Sequence, residues 1–354
     1  MNNFISSLTK INLPLLKYFD LCFDMGTSNT RIAVIGKGIV LREPTVIGYN
    51  ERSKEYIFYG EEAKKIVGKT PDFIKIIKPL HNSLISDFDS QTELIKQYMN
   101  KAVEPYLQSY KIVRPTMRAV CIIPTTATEI ERRAVEEVLI KVGISKVYLI
   151  SKPLAAAAGS EIDVFSHQPN LIIDMGGGLI ELAIVSGGGI VSRKSLSTAG
   201  EHMNTVLANY CYLKYGVVLG ETTTESLKIS LLNFSNEDRS ITVRGKSLEN
   251  GLPKSIRLRS AEVKEALLNN FNHIVDAVKE LIEASPPEVV EDIYNRGIIL
   301  SGELTKIEGI ESFFTTELKI ETMVSPQAGN ATIHGLVSIC SDYENVLKLA
   351  NNTA

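Results

Sequence analysis

No apolar run in the sequence reaches the roughly 20 residues that a helical membrane span requires, so no such span is expected. Cysteine is scarce: Cys22, Cys121, Cys211 and Cys340 lie far apart, mostly inside apolar runs. None has metal-ligand spacing, and all four read as buried free thiols in a reducing compartment. The five histidines do not cluster either, which argues against a zinc site. There is no basic surplus: 38 Lys and Arg face 41 Asp and Glu, a net charge of −3, so nucleic acid is not an expected partner. No Gly-x-x-x-x-Gly-Lys-Ser/Thr run occurs, which excludes a P-loop enzyme. What is present, 44% hydrophobic and 22% charged residues, is the composition of a globular chain with ample core. A length of 354 residues favours two domains or one large one. Residues 1–20 carry Phe4, Ile5, Leu8, Ile11, Leu15, Leu16 and Phe19 at near-helical spacing, with Lys10 and Lys17. They lack a cleavage site and a long apolar core, so they are not read as a signal peptide. Pro14 would kink a helix there. Two readings stay open: an amphipathic segment lying on a membrane, or a leader packed on its own domain.

The chain is organised around residues 21–30, L-C-F-D-M-G-T-S-N-T, followed by a second apolar run, R-I-A-V-I. An apolar strand ends in Asp24, a turn comes next, and another strand begins. Gly26 tolerates φ > 0, and Thr27, Ser28 and Asn29 bring short donors to the turn. Successive exposed N–H groups make an anion cradle, with Asp24 at its lip where a carboxylate reaches a metal. Residues 171–183, L-I-I-D-M-G-G-G-L-I-E-L-A, repeat the pattern with Asp174, about 150 residues later. The pair points to two related halves. Facing each other, the two hairpins would hold one polyphosphate, with its Mg²⁺ between Asp24 and Asp174.

Around the hairpins, strands are expected at 38–49, 56–60, 119–124, 147–151, 190–196, 241–245, 255–258 and 297–301. Helices are expected at 61–67, 88–99, 153–159, 200–215, 222–232, 260–284 (capped by Ser260), 309–317 and, last, 331–348. Thr128 and Glu131 have capping-box spacing at the start of a further helix. Residues 103–114 read as a surface loop, unusually apolar for one. Strand–turn–strand units followed by helices, repeated twice, mean an α/β fold with mixed sheets.

The motifs D-M-G-T-S-N-T, I-P-T-T-A-T-E-I-E-R-R-A, V-Y-L-I-S-K-P-L-A-A-A-A-G, I-I-D-M-G-G-G, V-R-G-K-S-L-E-N-G-L-P-K and R-G-I-I-L-S-G occur in that order over roughly residues 20 to 340. In them the chain resembles the MreB family of bacterial actins, within the superfamily of actin, Hsp70 ATPases and sugar kinases. The resemblance implies an actin-like fold: two RNase H-like domains, each with a smaller inserted subdomain, around a nucleotide cleft. Domain I would span 1–150, with its subdomain at about 41–79 and the C-terminal helix 325–354 returning to it. Domain II would span 151–324, with its subdomain at about 191–254. It also implies ATP and Mg²⁺ as cofactors and self-association into filaments on the inner membrane surface, in cell shape or motility. Related actin-like paralogues and membrane shape or motility proteins would be further partners. Residue by residue, Gly26, Thr27, Ser28 and Asn29 match the first phosphate loop, and Gly176, Gly177 and Gly178 the second. Asp24 and Asp174 match the metal-side carboxylates, and Glu131 the group that positions or activates water. Glu225 and Lys228 match the segment against adenine and ribose, and Gly302 opens the adenosine-side loop with Glu303 and Leu304.

The chain departs from that family's pattern at three places. Leu179-Ile180 stand where Thr-Thr is usual, Gly302-Glu303-Leu304 where Gly-Gly-Gly is usual, and Ser151-Lys152-Pro153 where Glu-Glu-Pro is usual. Losing a hydroxyl beside the γ-phosphate predicts slow hydrolysis, since a positioned catalytic group is typically worth about 10²–10⁴-fold. On sequence alone, Glu131 also fits a helix cap, and Glu225 with Lys228 fits a surface ion pair at i and i+3. Rival readings are a regulatory paralogue that binds nucleotide, a small-molecule kinase, for which no aspartate base motif is found, and an Hsp70-like chaperone. For the last, the sequence to Ala354 leaves no room for a peptide-binding domain.

Overall fold

The computed structural model describes residues 18–108, 110, 114–235 and 237–353. Among them two five-stranded sheets carry the fold. The first orders its strands Lys146–Ser151, Met117–Ile123, Phe19–Met25, Asn29–Val34, Gly38–Pro44. The second runs Thr322–Val324, Ile298–Ser301, Asn170–Met175, Ile180–Ser186, Gly189–Leu196. Each has a three-stranded antiparallel meander followed by two parallel strands on the same side. The repeat read in the sequence is thus a repeat of topology, and the fold is actin-like.

Strand alternation divides the interior. Leu21 and Phe23 face one core, while Cys22 between them faces another. Leu171 and Ile173 face a third, with Ile172 on the other side, as the two-residue period of a strand dictates. The shared core joins both sheets through the helices Lys152–Gly159 and Ala331–Ile339. These two helices cross at glycines: a methyl group on Gly159 would lie 1.8 Å from Ala331 O, and one on Gly335 1.8 Å from Ala155 O. Among the described residues, two three-stranded sheets form small lobes of their own. One is the sheet Glu55–Tyr59, Ile47–Asn50, Ile74–Ile77 with the helix Glu61–Lys65; the other is Val217–Val218, Ser240–Ser247, Pro253–Arg259 with the helices Gly200–Tyr215 and Glu221–Leu231.

Several expectations need correction. The apolar stretch after 103 is not all surface loop: Glu104–Leu107 is a helical turn, and Val103 and Leu107 are buried. The last helix is two, Ala331–Ile339 and Tyr343–Thr353, because Asp342 caps the second through Glu344 N, 3.0 Å from its Oδ1. Ser260 does not cap the long helix Ser260–Glu283; Arg259 precedes it, and its N–H donates to Glu262 Oε2 at 3.0 Å. The cysteines are free, but Cys22 and Cys340 are not apart in space, their Sγ atoms lying 3.5 Å from each other. The N-terminal amphipathic segment lies, up to residue 17, outside the described residues, as do 109 and 111–113 of the apolar stretch 103–114.

Candidate functional site

Both Asp-ended hairpins turn in the same way. Gly26 N donates to Asn29 O and Gly176 N to Leu179 O, each at 3.1 Å. The turns face one another. A methyl group on Gly177 would lie 2.0 Å from Ser28 Oγ, and one on Gly178 2.1 Å from Thr27 Oγ1 and 2.7 Å from its Cβ, so the two turns are in close approach and a side chain at Gly178 would press on Thr27. Among the described residues, the N–H groups of Thr27, Ser28, Gly177 and Gly178 make no hydrogen bond. The Thr27 hydroxyl is committed to the fold, accepting from Ser83 N at 2.7 Å.

A cavity of about 560 Å³ opens beside the facing loops, between the two small lobes. Its size suits a nucleotide-sized ligand. Thr27, Ser28, Asn29, Gly176 and Gly177 line one end; Glu225, Lys228, Glu303 and Leu304 line the rest. The structure therefore brings most of the sequence-predicted set together. Glu225 and Lys228 are not an ion pair with each other. Glu225 Oε2 meets Lys64 Nζ at 3.0 Å across the cavity mouth, and Lys228 is buried, donating to Gly200 O at 2.6 Å. Burial lowers the Lys228 ammonium from 10.5 to about 8, against the pull of Glu225 and Glu201. Gly302 has φ +94°, and a methyl group there would lie 2.3 Å from Met175 O. The Glu303 carboxylate reaches Arg31 at 2.8 Å, Arg42 at 2.7 Å and Lys306 at 2.7 Å. Against the opposing effect of burial, these cations hold it below the usual carboxylate range.

Glu131 is not brought in: it lines neither this cavity nor the smaller one beside it. Its carboxylate closes a capping box, accepting from Thr128 N at 2.7 Å and Thr128 Oγ1 at 2.8 Å.

The two carboxylates expected on the metal side, Asp24 and Asp174, both meet cationic side chains of the chain. Asp24 stands opposite Arg31 in its hairpin, and its Oδ2 accepts from Arg31 Nη1 at 3.1 Å and Thr332 Oγ1 at 2.6 Å. Asp174 stands opposite Glu181. Like charges so placed repel, and Lys152 answers them, its Nζ 2.5 Å from Asp174 Oδ2. Ser301 Oγ donates to Asp174 Oδ1 at 3.0 Å. Burial alone would pull the Lys152 ammonium down, but Asp174, Glu181 and Asp24 hold it above the ordinary lysine range. Burial raises Glu181, and the Thr125 N–H and hydroxyl, each 2.8 Å from its Oε1, only partly oppose that. These residues do not fit a divalent cation, because ammonium and guanidinium groups of the chain already answer both aspartates.

Sequence reasoning does not assign Arg31, Lys152, Glu181 or Thr332 to the site. A signal exists for two of them. Lys152 heads a helix of small apolar residues, and Glu181 interrupts an apolar strand; a charge in such a place needs a partner.

The model of the MreB/Mbl protein family matches residues 18–348. The chain is 36% identical to the cell shape-determining protein Mbl of Bacillus subtilis over 308 residues, 86% of this chain and 91% of that protein. Its structure is similar to the crystal structure of MreB5 of Spiroplasma citri bound to ADP, with a TM-score of 0.86 and 30% identity, over 94% of this chain and 98% of that one. MreB5 bound to AMPPNP is similar at a TM-score of 0.85 and 30% identity, over 93% and 99%.

Proposed function

The chain belongs to the MreB/Mbl family of actin-like proteins, and from this we propose that it binds ATP between its two hairpins and polymerises into cytoskeletal filaments. In this reading the filaments act at the inner face of the membrane, in cell shape or motility. The observation that carries it is the pair of identical turns, Gly26–Asn29 and Gly176–Leu179, facing each other with uncommitted N–H groups at the end of a 560 Å³ cavity. Such preorganised donors suit a polyphosphate, whose loose transfer transition state needs positioning and charge neutralisation. Lys228 and Glu225 flank the nucleoside end, and Gly302 to Leu304 close its far side. That MreB5 was solved with ADP and with AMPPNP supports the assignment. Residues 1–150 and 151–324 would form the two domains. ATP touching both would favour the closed arrangement, and a closed protomer repeating head to tail generates a filament.

Hydrolysis in this reading is slow. Leu179 brings no hydroxyl, and Glu131 must leave its capping box to reach a water. A second reading, a nucleotide-binding paralogue that regulates other filaments, draws on the same two features. Sedimentation and electron microscopy with ATP and lipid vesicles separate the two. Pelletable filaments on vesicles are expected, and protein that binds ATP yet stays in the supernatant would leave the regulatory reading standing instead. Phosphate release is expected to rise in Leu179→Thr; a wild-type rate equal to the variant's would end the case built on the missing hydroxyl.

A further inference from the structure

We infer that the Lys152 ammonium, rather than a divalent cation, neutralises the nucleotide's phosphates beside Asp174, so that this chain binds ATP with little dependence on Mg²⁺. The inference rests on the nucleotide reading above. Three observations place the lysine in that role. Its side chain is only 10% exposed, yet it is one wall of a small cavity of about 50 Å³ walled also by Gly26 to Asn29 and by Gly176 and Gly177. It thus lies at the junction of both phosphate loops. Its Nζ sits against the second loop itself, 3.2 Å from where a methyl group on Gly176 would be. And an ammonium has three donors, while the contact this one makes is an ion pair with Asp174 Oδ2 at 2.5 Å.

Charge makes the same point. Asp24 is paired with Arg31 and Asp174 with Lys152 within one buried cluster that also holds a third carboxylate, Glu181. A dication entering between the aspartates would meet two cations and would have to displace Lys152 from its partner. That would leave a buried charge without its counterion, which is expensive. Phosphate oxygens entering the same space meet donors the chain already holds in place. A lysine serving the fold alone would leave nucleotide binding dependent on the metal, and that difference is measurable.

The test is calorimetric titration of the full chain with AMPPNP, which avoids turnover, once in excess Mg²⁺ and once in EDTA. The dissociation constant of the wild type is expected to differ by less than about threefold between the two. A larger loss in EDTA overturns the inference and leaves the nucleotide reading intact. Absence of binding in both media overturns the nucleotide reading and this one with it. Lys152→Glu is expected to bind poorly in EDTA and to recover by more than about tenfold in Mg²⁺. Lys152→Met, of similar length and uncharged, is expected to lose affinity in EDTA. Either folded variant showing the wild type's indifference to Mg²⁺ overturns the inference. Circular dichroism reports whether the variants fold, and if neither does, the wild-type pair of titrations decides alone.

Discussion

At the scale of single residues, the site is a set of charges whose partners the fold chooses. Lys228 gives a prediction with a sign. The unfolded chain keeps this proton up to 10.5, and the folded one releases it near 8. Between those values unfolding takes up a proton, so stability rises with pH across that window, and the full cost of the buried charge is present below 8. The difference is worth about 3 kcal/mol. In urea titrations at pH 7 and pH 10, wild type should gain about that much relative to Lys228→Met. A gap that stays constant with pH would mean the ammonium is not buried as described. Glu131 gives a second. Glu131→Ala should cost about 1 kcal/mol by opening the capping box, while Glu131→Gln, whose amide oxygen can still accept from Thr128 N, should cost little. If Glu131→Gln also releases phosphate within about threefold of wild type, the carboxylate serves the helix; a fall of about 10²-fold would assign it to the water after all. Asp24 and Asp174 are legible as strand-end carboxylates because an aspartate closing an apolar run needs a reason to be there. Their counterions are not legible. Arg31 reads as a strand residue and Lys152 as a break in a familiar pattern, and only three-dimensional register sets each opposite its aspartate.

At the scale of elements, the sequence shows what local chemistry decides. The two hairpins, the capping box at Thr128 and the apolar face of Ser260–Glu283 arise from strand period, side-chain caps and helical period. The expectations fail where a local signal has two meanings. Residues 103–114 mix apolar and charged side chains as a surface loop does, yet Glu104–Leu107 is a helical turn, with a proline where a first turn tolerates it. Ser341 and Asp342 sit inside an apparently continuous helical pattern, although Asp342 is a good cap for the helix that begins at Tyr343. The crossing of Lys152–Gly159 and Ala331–Ile339 has only small residues to announce it, and it carries the core shared by both sheets. Gly335→Ala puts a methyl group 1.8 Å from Ala155 O, a backbone atom with no freedom to yield. A loss of about 3 kcal/mol or more is expected, at the upper end of overpacking costs. Gly220→Ala, where a methyl group meets nothing within 4 Å but alanine is a poorer N-cap for Glu221–Leu231, should cost no more than about 1 kcal/mol. Equal losses at the two sites, in urea titrations run side by side, would remove the close crossing from the account.

At the scale of the whole molecule, the cleft is held shut by charge as well as by covalent connection. Lys64 of one small lobe meets Glu225 of the other at 3.0 Å. Lys78 pairs with Glu221 and lies 3.6 Å from Glu201. Arg31 and Arg42 of the first sheet hold Glu303, which comes just after a strand of the second. Apart from Arg31, these side chains are partly exposed, and such pairs are worth about 1 kcal/mol or less each. They lie close to water, so salt weakens them, the Debye length falling from about 10 Å at 0.1 M to about 3 Å at 1 M. Closure without nucleotide should therefore depend on salt, whereas a nucleotide touching both halves should hold the cleft through contacts that salt weakens far less. Small-angle scattering reads the difference. From a compact radius of gyration near roughly 20 Å, the ligand-free protein should expand by on the order of 1 Å as salt rises, as a hinge opening would. With AMPPNP bound, no expansion is expected. Arg42→Glu, which turns one clasp of Glu303 into a repulsion, should open the free protein already at low salt. If the radius is the same at every salt concentration, with and without AMPPNP, the ion pairs merely decorate a cleft that other packing holds closed.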